Sequence, residues 1–196
     1  MKRSLPHVVR QAQIKARKEP ELKKYIIDQM RRLTSFSNPD ELIRWLYEEV
    51  DRLIATDRDL KNSTCHKGCH FCCYHPISLS PKEMNYLNRT KPDYSEARLK
   101  IQYDHFNHGA PINYEQRACI YLDKIKGECS VYKNRPLICR LTHVVTEPVN
   151  CHYENDTTPI EHLPLTEAAL LIGAFYMIYP EVEIIPTLIK EDPVSN

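Results

Sequence analysis

The alternation of apolar and polar positions predicts helices over the first sixty residues of the chain. In the segment PELKKYIIDQMRRL, which begins at Pro20, apolar side chains recur every three or four residues, as on one face of an α-helix. The segment NPDELIRWLYEEVDRLIATD repeats this pattern, with Asn38 as a capping residue and Pro39 at the first helical position. Both segments are therefore predicted to be amphipathic helices that pack on the rest of the chain.

The later part of the chain mixes helical and β-type patterns. The segment SPKE from Ser80 is a capping box that opens a short helix, and a further helix is expected from about Ser95 to a stop at Gly109. Within residues 118–132 the runs CIYL and CSVY flank DKIKG, which is typical of a β-hairpin. Residues 165–179 are apolar around nearly the whole helix circumference, which predicts the central core helix.

These elements predict one α+β fold, mainly helical, with a cysteine-rich metal core and one small β-hairpin flanked by helices. We expect a helical N-terminal arm over residues 1–60, packed on the core, and a cysteine-cluster metal-binding domain over residues 61–152. A C-terminal core helix and acidic tail follow over residues 153–196. The chain of 196 residues suffices for these three segments to form one compact unit.

Charge is unevenly distributed, although the net charge is only +1. Residues 1–32 are rich in lysine and arginine, and residues 147–196 are rich in aspartate and glutamate. The basic segment is a candidate contact for a protein or nucleic-acid partner. The alternative interpretation is a solvated helix face docked on the acidic end.

The hydropathy pattern favours a cytoplasmic protein with no membrane contact. The first residues, MKRSLPHVVRQAQIKARK, stay charged and contain no apolar run of the kind that signal peptides carry. The most apolar segment, residues 165–179, is too short to cross a bilayer and contains a glutamate.

The eight cysteines are the strongest functional signal in the sequence. Four of them lie in CHKGCHFCC, the cysteine loop (residues 65–73), with the spacing C-x3-C-x2-C-C. In a reducing compartment this pattern favours metal ligation over disulfides. Thiolates are soft ligands that suit zinc or an iron–sulfur cluster. The predicted metal ligands are Cys65, Cys69, Cys72, Cys73, Cys119, Cys129 and Cys139.

Three details of this ligand set stay open. Neighbouring side chains usually diverge, so one of Cys72 and Cys73 is expected to face a given metal, while the other reaches a second centre or stays a free thiol. If the hairpin turn is centred on Lys124, Cys119 and Cys129 face each other, with Cβ atoms roughly 5 Å apart. The sequence does not decide whether Cys151 or a nearby histidine is a further ligand.

The cysteine pattern resembles that of the YkgJ-type cysteine-cluster proteins, a family described as a zinc- or iron-chelating domain. After C-x3-C-x2-C-C, the shared elements are CIYL from Cys119, GECSVY from Gly127 and RPLICR from Arg135, so the resemblance covers residues 65–140. The resemblance implies a thiolate-bound metal. A related pattern in a flagellin lysine methylase further implies an iron–sulfur cluster of the 4Fe-4S type, used with S-adenosylmethionine.

The segment KNRPLICR places two arginines around Cys139. It is predicted to be a short helical turn capped by Asn134 and starting at Pro136. Arg135 and Arg140 are predicted to support the cofactor, because guanidinium groups near thiolates offset their negative charge and tune the potential of a cluster.

The sequence therefore predicts a metal-binding protein with a thiolate-ligated iron–sulfur cluster or zinc centre. One alternative is an S-adenosylmethionine-dependent protein lysine methylase-like enzyme. The other is a zinc-stabilised module that binds nucleic acid or protein. Catalytic residues and the identity of a partner stay unassigned, and whether the protein is an enzyme is left open.

Overall fold

Helices make up most of the fold, and two short antiparallel β-pairs connect segments between them. The computed structural model describes residues 10, 14, 16–66, 68–90, 93–154 and 158–191. The helices are α1 (Pro20–Thr34), α2 (Pro39–Thr56), α3 (Pro81–Arg89), α4 (Glu96–His108), α5 (Leu137–Leu141), α6 (Thr166–Ile178) and α7 (Ile185–Glu191). The strands are β1 (Ser78–Leu79), β2 (Leu122–Asp123), β3 (Glu128–Cys129) and β4 (Glu183–Ile184). The predicted mainly helical α+β class is confirmed.

Two of the predicted terminal segments fall partly on residues that are not described. Residues 1–9, 11–13 and 15 of the basic segment, and residues 192–196 of the acidic tail, lie outside the described residues. The division of the chain into three segments stays a prediction. Among the described residues, none of the helices combines the length and the apolar composition that a bilayer crossing requires.

Helix α6 is the centre of the larger hydrophobic core, as its sequence predicts. Its residues from Ala168 to Tyr176 are all buried, so the helix is surrounded by other elements. Helices α1, α2 and α5 pack against it. The apolar faces of α1 and α2, which include Ile26 and Leu46, belong to the same core. Because α5 carries Cys139, one of the candidate ligands is built directly onto this scaffold.

The hairpin forms where predicted, but its register is different. Leu122 lies opposite Cys129, so the expectation that Cys119 faces Cys129 across the strands is wrong. The reason is the position of the turn, which is centred between Ile125 and Lys126 instead of on Lys124. The carboxylate of Asp123 accepts two backbone N–H groups of the turn, at 3.0 and 3.1 Å, and Gly127 closes the turn with φ +66°.

A second β-pair, between β1 and β4, is not predicted from the sequence. Ser78 lies opposite Ile184, and Leu79 lies opposite Glu183. Two-residue strands carry no periodic pattern that a sequence could reveal. The pair ties the segment that follows the cysteine loop to the beginning of α7.

A fully buried carboxylate, that of Glu83, joins four helices. It closes the predicted capping box with Ser80 at the start of α3. Its Oε1 accepts the backbone N–H of Leu137 at 2.9 Å, and its Oε2 accepts the hydroxyl of Tyr176 at 2.9 Å. The hydroxyl of Tyr47 donates to Oε1 at 3.4 Å. One acceptor group thereby fixes α2, α3, α5 and α6 relative to one another.

The start of α5 also differs from the prediction because of Glu83. Pro136 is the capping residue and Leu137 the first helical residue, and no side chain of the local segment caps the helix. Asn134 therefore does not have the predicted role. The carboxylate of Glu83, which arrives from α3, takes the N–H of Leu137 instead.

Because Glu83 is buried, its titration makes the stability of the fold depend on pH. It raises the pKa of the Glu83 carboxyl above the ordinary 4.5, because the buried charge is not solvated. The folded state then holds the proton more tightly than the unfolded state. The resulting contribution to stability is complete below pH 4.5 and is lost as the pH rises through the folded-state pKa.

We expect Glu83→Gln, which cannot titrate, to lack this loss of stability. The difference in unfolding free energy between wild type and variant should therefore narrow as the pH rises above 4.5, as measured by urea unfolding over a pH series. Glu48→Gln, at an exposed position of α2, is the matched control and should follow the wild type. Parallel curves for wild type and Glu83→Gln would contradict the prediction.

Candidate metal centre

Folding brings the cysteine loop against the hairpin and α5. The backbone N–H of Cys119 donates to the carbonyl oxygen of Cys73 at 2.7 Å, so the segment that leads into β2 runs along the loop. The charge of a Cys72 thiolate raises the pKa of the Cys119, Cys129 and Cys139 thiols. Three segments that are distant in sequence therefore place their sulfurs within electrostatic range of the loop.

Burial is the main cause of the raised pKa of most of these thiols. It raises the pKa of Cys119 to about 12 and that of Cys139 well above the usual value, although both residues are only half-buried as a whole. Thiols in such a setting stay protonated unless a cation is present. Metal binding at this site would therefore release protons.

Cys72 and Cys73 interact through their side chains. Hydrogen bonding to Cys73 lowers the pKa of Cys72 to about 7, and the same interaction raises the pKa of Cys73. The two residues lie in the 3₁₀ turn Phe71–Tyr74, in which successive side chains are about 120° apart, compared with about 180° in a strand. Which of the two sulfurs faces a given metal stays a prediction.

Backbone N–H groups point at three of the sulfurs. In each case the donor lies two residues after the cysteine, and the hydrogen bond lowers the thiol pKa, against the effect of burial. The pairs are Cys69 with Phe71, Cys119 with Tyr121, and Cys129 with Val131. Such donors stabilise a thiolate, whether free or bound to a metal, and they tune the potential of a cluster.

Arg135 supplies positive charge to the site. Its guanidinium lies over the ring of Tyr132, 4.0 Å from the centroid. Its charge lowers the pKa of the Cys72, Cys129 and Cys139 thiols. This position is compatible with the predicted support of a cofactor, which stays a prediction.

Arg140 has its donors occupied by the fold. Its Nε donates to the carbonyl of Arg135 at 2.9 Å, and its remaining nitrogens donate to the Asp51 carboxylate and the Lys133 carbonyl. The guanidinium also lies 4.2 Å from the centroid of the Tyr47 ring. Arg140 thus connects α5 to α2, and its predicted role towards a cofactor stays untested.

Arg98, on α4, contributes to the site but carries no signal in the sequence. Its guanidinium donates to the carbonyls of Cys119 and Leu122 at 2.7 and 2.8 Å, which fixes the entry into the hairpin. Its charge also lowers the pKa of Cys119. No local pattern around Arg98 indicates a partner twenty residues away, because only the fold brings α4 to the hairpin.

The histidines near the cysteine loop are engaged with the backbone. The ring Nδ1 of His70 is 3.0 Å from the carbonyl oxygen of Gly68, and the ring Nε2 of His75 is 3.0 Å from that of Cys151. These contacts occupy one nitrogen of each ring, and the contact of His75 links it to the turn Pro148–Cys151. Whether a histidine is a further ligand stays open.

Three features of these residues suit a metal, namely the type of donor, the convergence of the thiols and the hydrogen bonds to sulfur. In the described part of the chain, no three histidine, cysteine, aspartate or glutamate side chains stand together as a ready-made site for one ion. The hydroxyl of Tyr121 is buried without a hydrogen-bond partner among the described residues, in range of the Cys119 and Cys129 thiolates. The site therefore has soft donors and an unused polar group beside them.

Gly127 lets the hairpin approach the cysteine loop. A Cβ atom at this position would lie 3.1 Å from Nδ1 of His70 and 3.5 Å from the carbonyl oxygen of Gly68. The left-handed φ of +66° is also a conformation that glycine adopts without strain. Gly109, with φ +72° and open space around it, shares only the second property.

Comparison with models of known protein families gives a match to the cysteine-rich part of the chain. The family model described as "CxxCxxCC: Putative zinc- or iron-chelating domain" matches residues 64–161, half of the chain. No curated protein and no solved structure matches the chain. The matched range contains all eight cysteines.

We expect Gly127→Ala and Gly109→Ala to separate backbone strain from the contact with the loop. Each should lower the unfolding free energy by about 1 kcal/mol, because alanine is strained at positive φ. Only Gly127→Ala should also lower the metal content of the purified protein, since its methyl group displaces His70 and the loop. Equal metal content in the two variants would contradict this.

Replacement of the two arginines around Cys139 should have different effects, one on metal retention and the other on stability. Arg135→Gln removes charge beside the thiols, so metal should be lost faster to a chelator, with little change in thermal stability. Arg140→Gln removes a buried guanidinium together with its hydrogen bonds to the Asp51 carboxylate and two backbone carbonyls, and should lower the unfolding free energy by about 2 kcal/mol. If Arg140→Gln accelerates metal loss at unchanged stability, this assignment of roles is wrong.

Proposed function

The chain belongs to the CxxCxxCC family, whose model describes a zinc- or iron-chelating domain, and on that premise we propose that its thiols hold a metal centre. The observation that carries the proposal is the convergence of thiols from the cysteine loop, the hairpin and α5, which interact through Cys72. Buried thiols gathered in this way repel one another when ionised, and a cation removes that cost. The proposed ligands are Cys65, Cys69, Cys72, Cys73, Cys119, Cys129 and Cys139.

Within this proposal we favour an iron–sulfur cluster of the 4Fe-4S type over a single zinc ion. Both a structural zinc ion and a 4Fe-4S cluster take four thiolates, so the preference rests on the groups around the thiols and not on their number. The backbone donors to Cys69, Cys119 and Cys129, together with the charge of Arg135, are the kinds of group that set cluster potentials.

A bound cluster would supply one-electron transfer chemistry. The residues of the chain would hold and tune it. Cys139 is presented by α5, whose first N–H is fixed by Glu83, and Cys129 is presented by β3. The N–H groups of Tyr121 and Val131 would stabilise the bound thiolates. The methylase-like and interaction-module alternatives stay predictions of the sequence.

Metal and acid-labile sulfide analysis of protein purified without oxygen tests the proposal directly. We expect iron with a similar amount of sulfide, and a broad visible absorbance that fades in air. Zinc without sulfide would support a thiolate metal centre and overturn the cluster. Protein without either metal would overturn the proposed function.

Replacement of one thiol provides a matched comparison. Cys119→Ser should lower the metal content, because an alcohol is a much poorer ligand than a thiolate for these metals. Ala118→Ser adds a hydroxyl at the neighbouring buried position and keeps all the thiols, so its metal content should match the wild type. Thermal unfolding of both proteins shows that each is folded, and equal metal loss in both would contradict the role of Cys119.

A further inference from the structure

An open groove of about 320 Å³ lies along α1, away from the cysteine-rich part of the chain. Residues from α1 and from the segment just before it line the groove, together with Met177 near the end of α6. None of these lining residues falls within residues 64–161, the range that the family model matches. The candidate metal centre therefore does not account for this surface.

The floor of the groove is aliphatic and partly open to solvent. Ile26 is buried, whereas Ile27 is 40% exposed and Met177 is 50% exposed. Met30, about one turn further along α1, is partly buried. Single exposed apolar side chains are common, but a concave group of them is typical of a surface that another apolar surface covers. Methionine side chains also adapt their shape to a partner, which suits such a role.

The charged residues that line the groove are cations. They are Arg17 and Lys23, and no aspartate or glutamate of the described residues lines it with them. Asp28, the neighbour of Ile27 in the sequence, is 3.1 Å from the guanidinium of Arg31, and both of these side chains are exposed. A segment that enters the groove therefore meets an aliphatic floor edged by two positive charges.

This combination distinguishes between the kinds of partner. In a two-fold contact between copies of this chain, the same cations would face each other, which is unfavourable. A nucleic acid would find cations, but the groove has no aromatic ring among its described lining residues on which a base could stack. A helix with an apolar face and acidic flanks matches both the floor and the cations.

We propose that the groove binds an acidic amphipathic helix of another protein. The apolar face of that helix covers Ile27, Met30 and Met177, and its carboxylates pair with Arg17 and Lys23. The groove residues of α1 recur at intervals of three and four, from Lys23 through Ile27 to Met30, which is the spacing that a packed helix presents to its partner. The proposal does not depend on which metal the protein holds.

Fluorescence anisotropy with a labelled peptide tests the proposal on the full chain. The probe is a peptide of about eighteen residues, with leucine along one helical face and glutamate on the others. A peptide of the same composition in scrambled order is the control. We expect saturable binding of the amphipathic peptide and not of the scrambled one, and a loss of affinity as salt screens the charges.

Two pairs of matched variants locate the binding. Lys23→Glu and Lys24→Glu make the same change of charge on α1, but only Lys23 lines the groove. Ile27→Asp places a carboxylate on the floor, and Ile125→Asp places one in the hairpin turn, where the side chain is 98% exposed. The dissociation constant of the probe should rise about tenfold or more in Lys23→Glu and Ile27→Asp, and less than about twofold in the two controls.

Each other outcome would overturn the proposal. These outcomes are no binding of the probe, equal binding of the scrambled peptide, and wild-type affinity in Lys23→Glu or Ile27→Asp. Sedimentation that shows a dimer which Ile27→Asp dissociates would assign the groove to a second copy of the chain. Displacement of the probe by an oligonucleotide would assign it to nucleic acid. Lys23 and Ile27 are exposed, so we expect thermal unfolding to show that both variants are folded.

Discussion

The buried carboxylate of Glu83 is the constraint on which the arrangement of the helices depends. Its surroundings consist of donors, namely two backbone N–H groups and the hydroxyls of three side chains, and a carboxylate is an acceptor that can satisfy them together. The position of α5, and with it the position of Cys139, is therefore set from the interior of the fold rather than from the cysteine loop.

The thiols, in contrast to the helices joined by Glu83, lie mostly outside long regular elements. Apart from Cys139, which lies in α5, they lie in loops, short turns and at a strand end, where backbone N–H groups that are not used by regular elements can point at sulfur. Eight thiols brought together in this way gain little from packing alone, and their ionised forms repel one another. The fold thus combines a helical scaffold, centred on α6, with a group of thiols whose ionised form needs a cation to offset the repulsion.

The sequence predicts the helices well because their signals are local. Pro20, the Asn38 cap, the box of Ser80 with Glu83, and Gly109 each mark a boundary that the structure confirms. The failures occur where the deciding contact is distant. Asn134 does not cap α5, since Glu83 arrives from another helix to take the N–H of Leu137.

The candidate site shows the same division between local and distant information. Spacing alone identifies the cysteines as a group, but the sequence contains nothing that reveals Arg98 at the hairpin or the side on which Cys151 lies. The register of the hairpin depends on how the Asp123 side chain shapes the turn, and a shift of this kind moves Leu122 opposite Cys129. Composition and spacing therefore indicate the chemistry of the site, whereas its geometry follows only from the fold.

The pairing of β1 with β4 bears on the order in which the molecule can be assembled. β4 and α7 follow every cysteine in the chain, yet they hold the segment directly after the cysteine loop. During synthesis the loop leaves the ribosome well before the strand that secures the segment behind it. In a newly made chain this segment therefore stays unpaired until β4 has emerged and the last helix has docked.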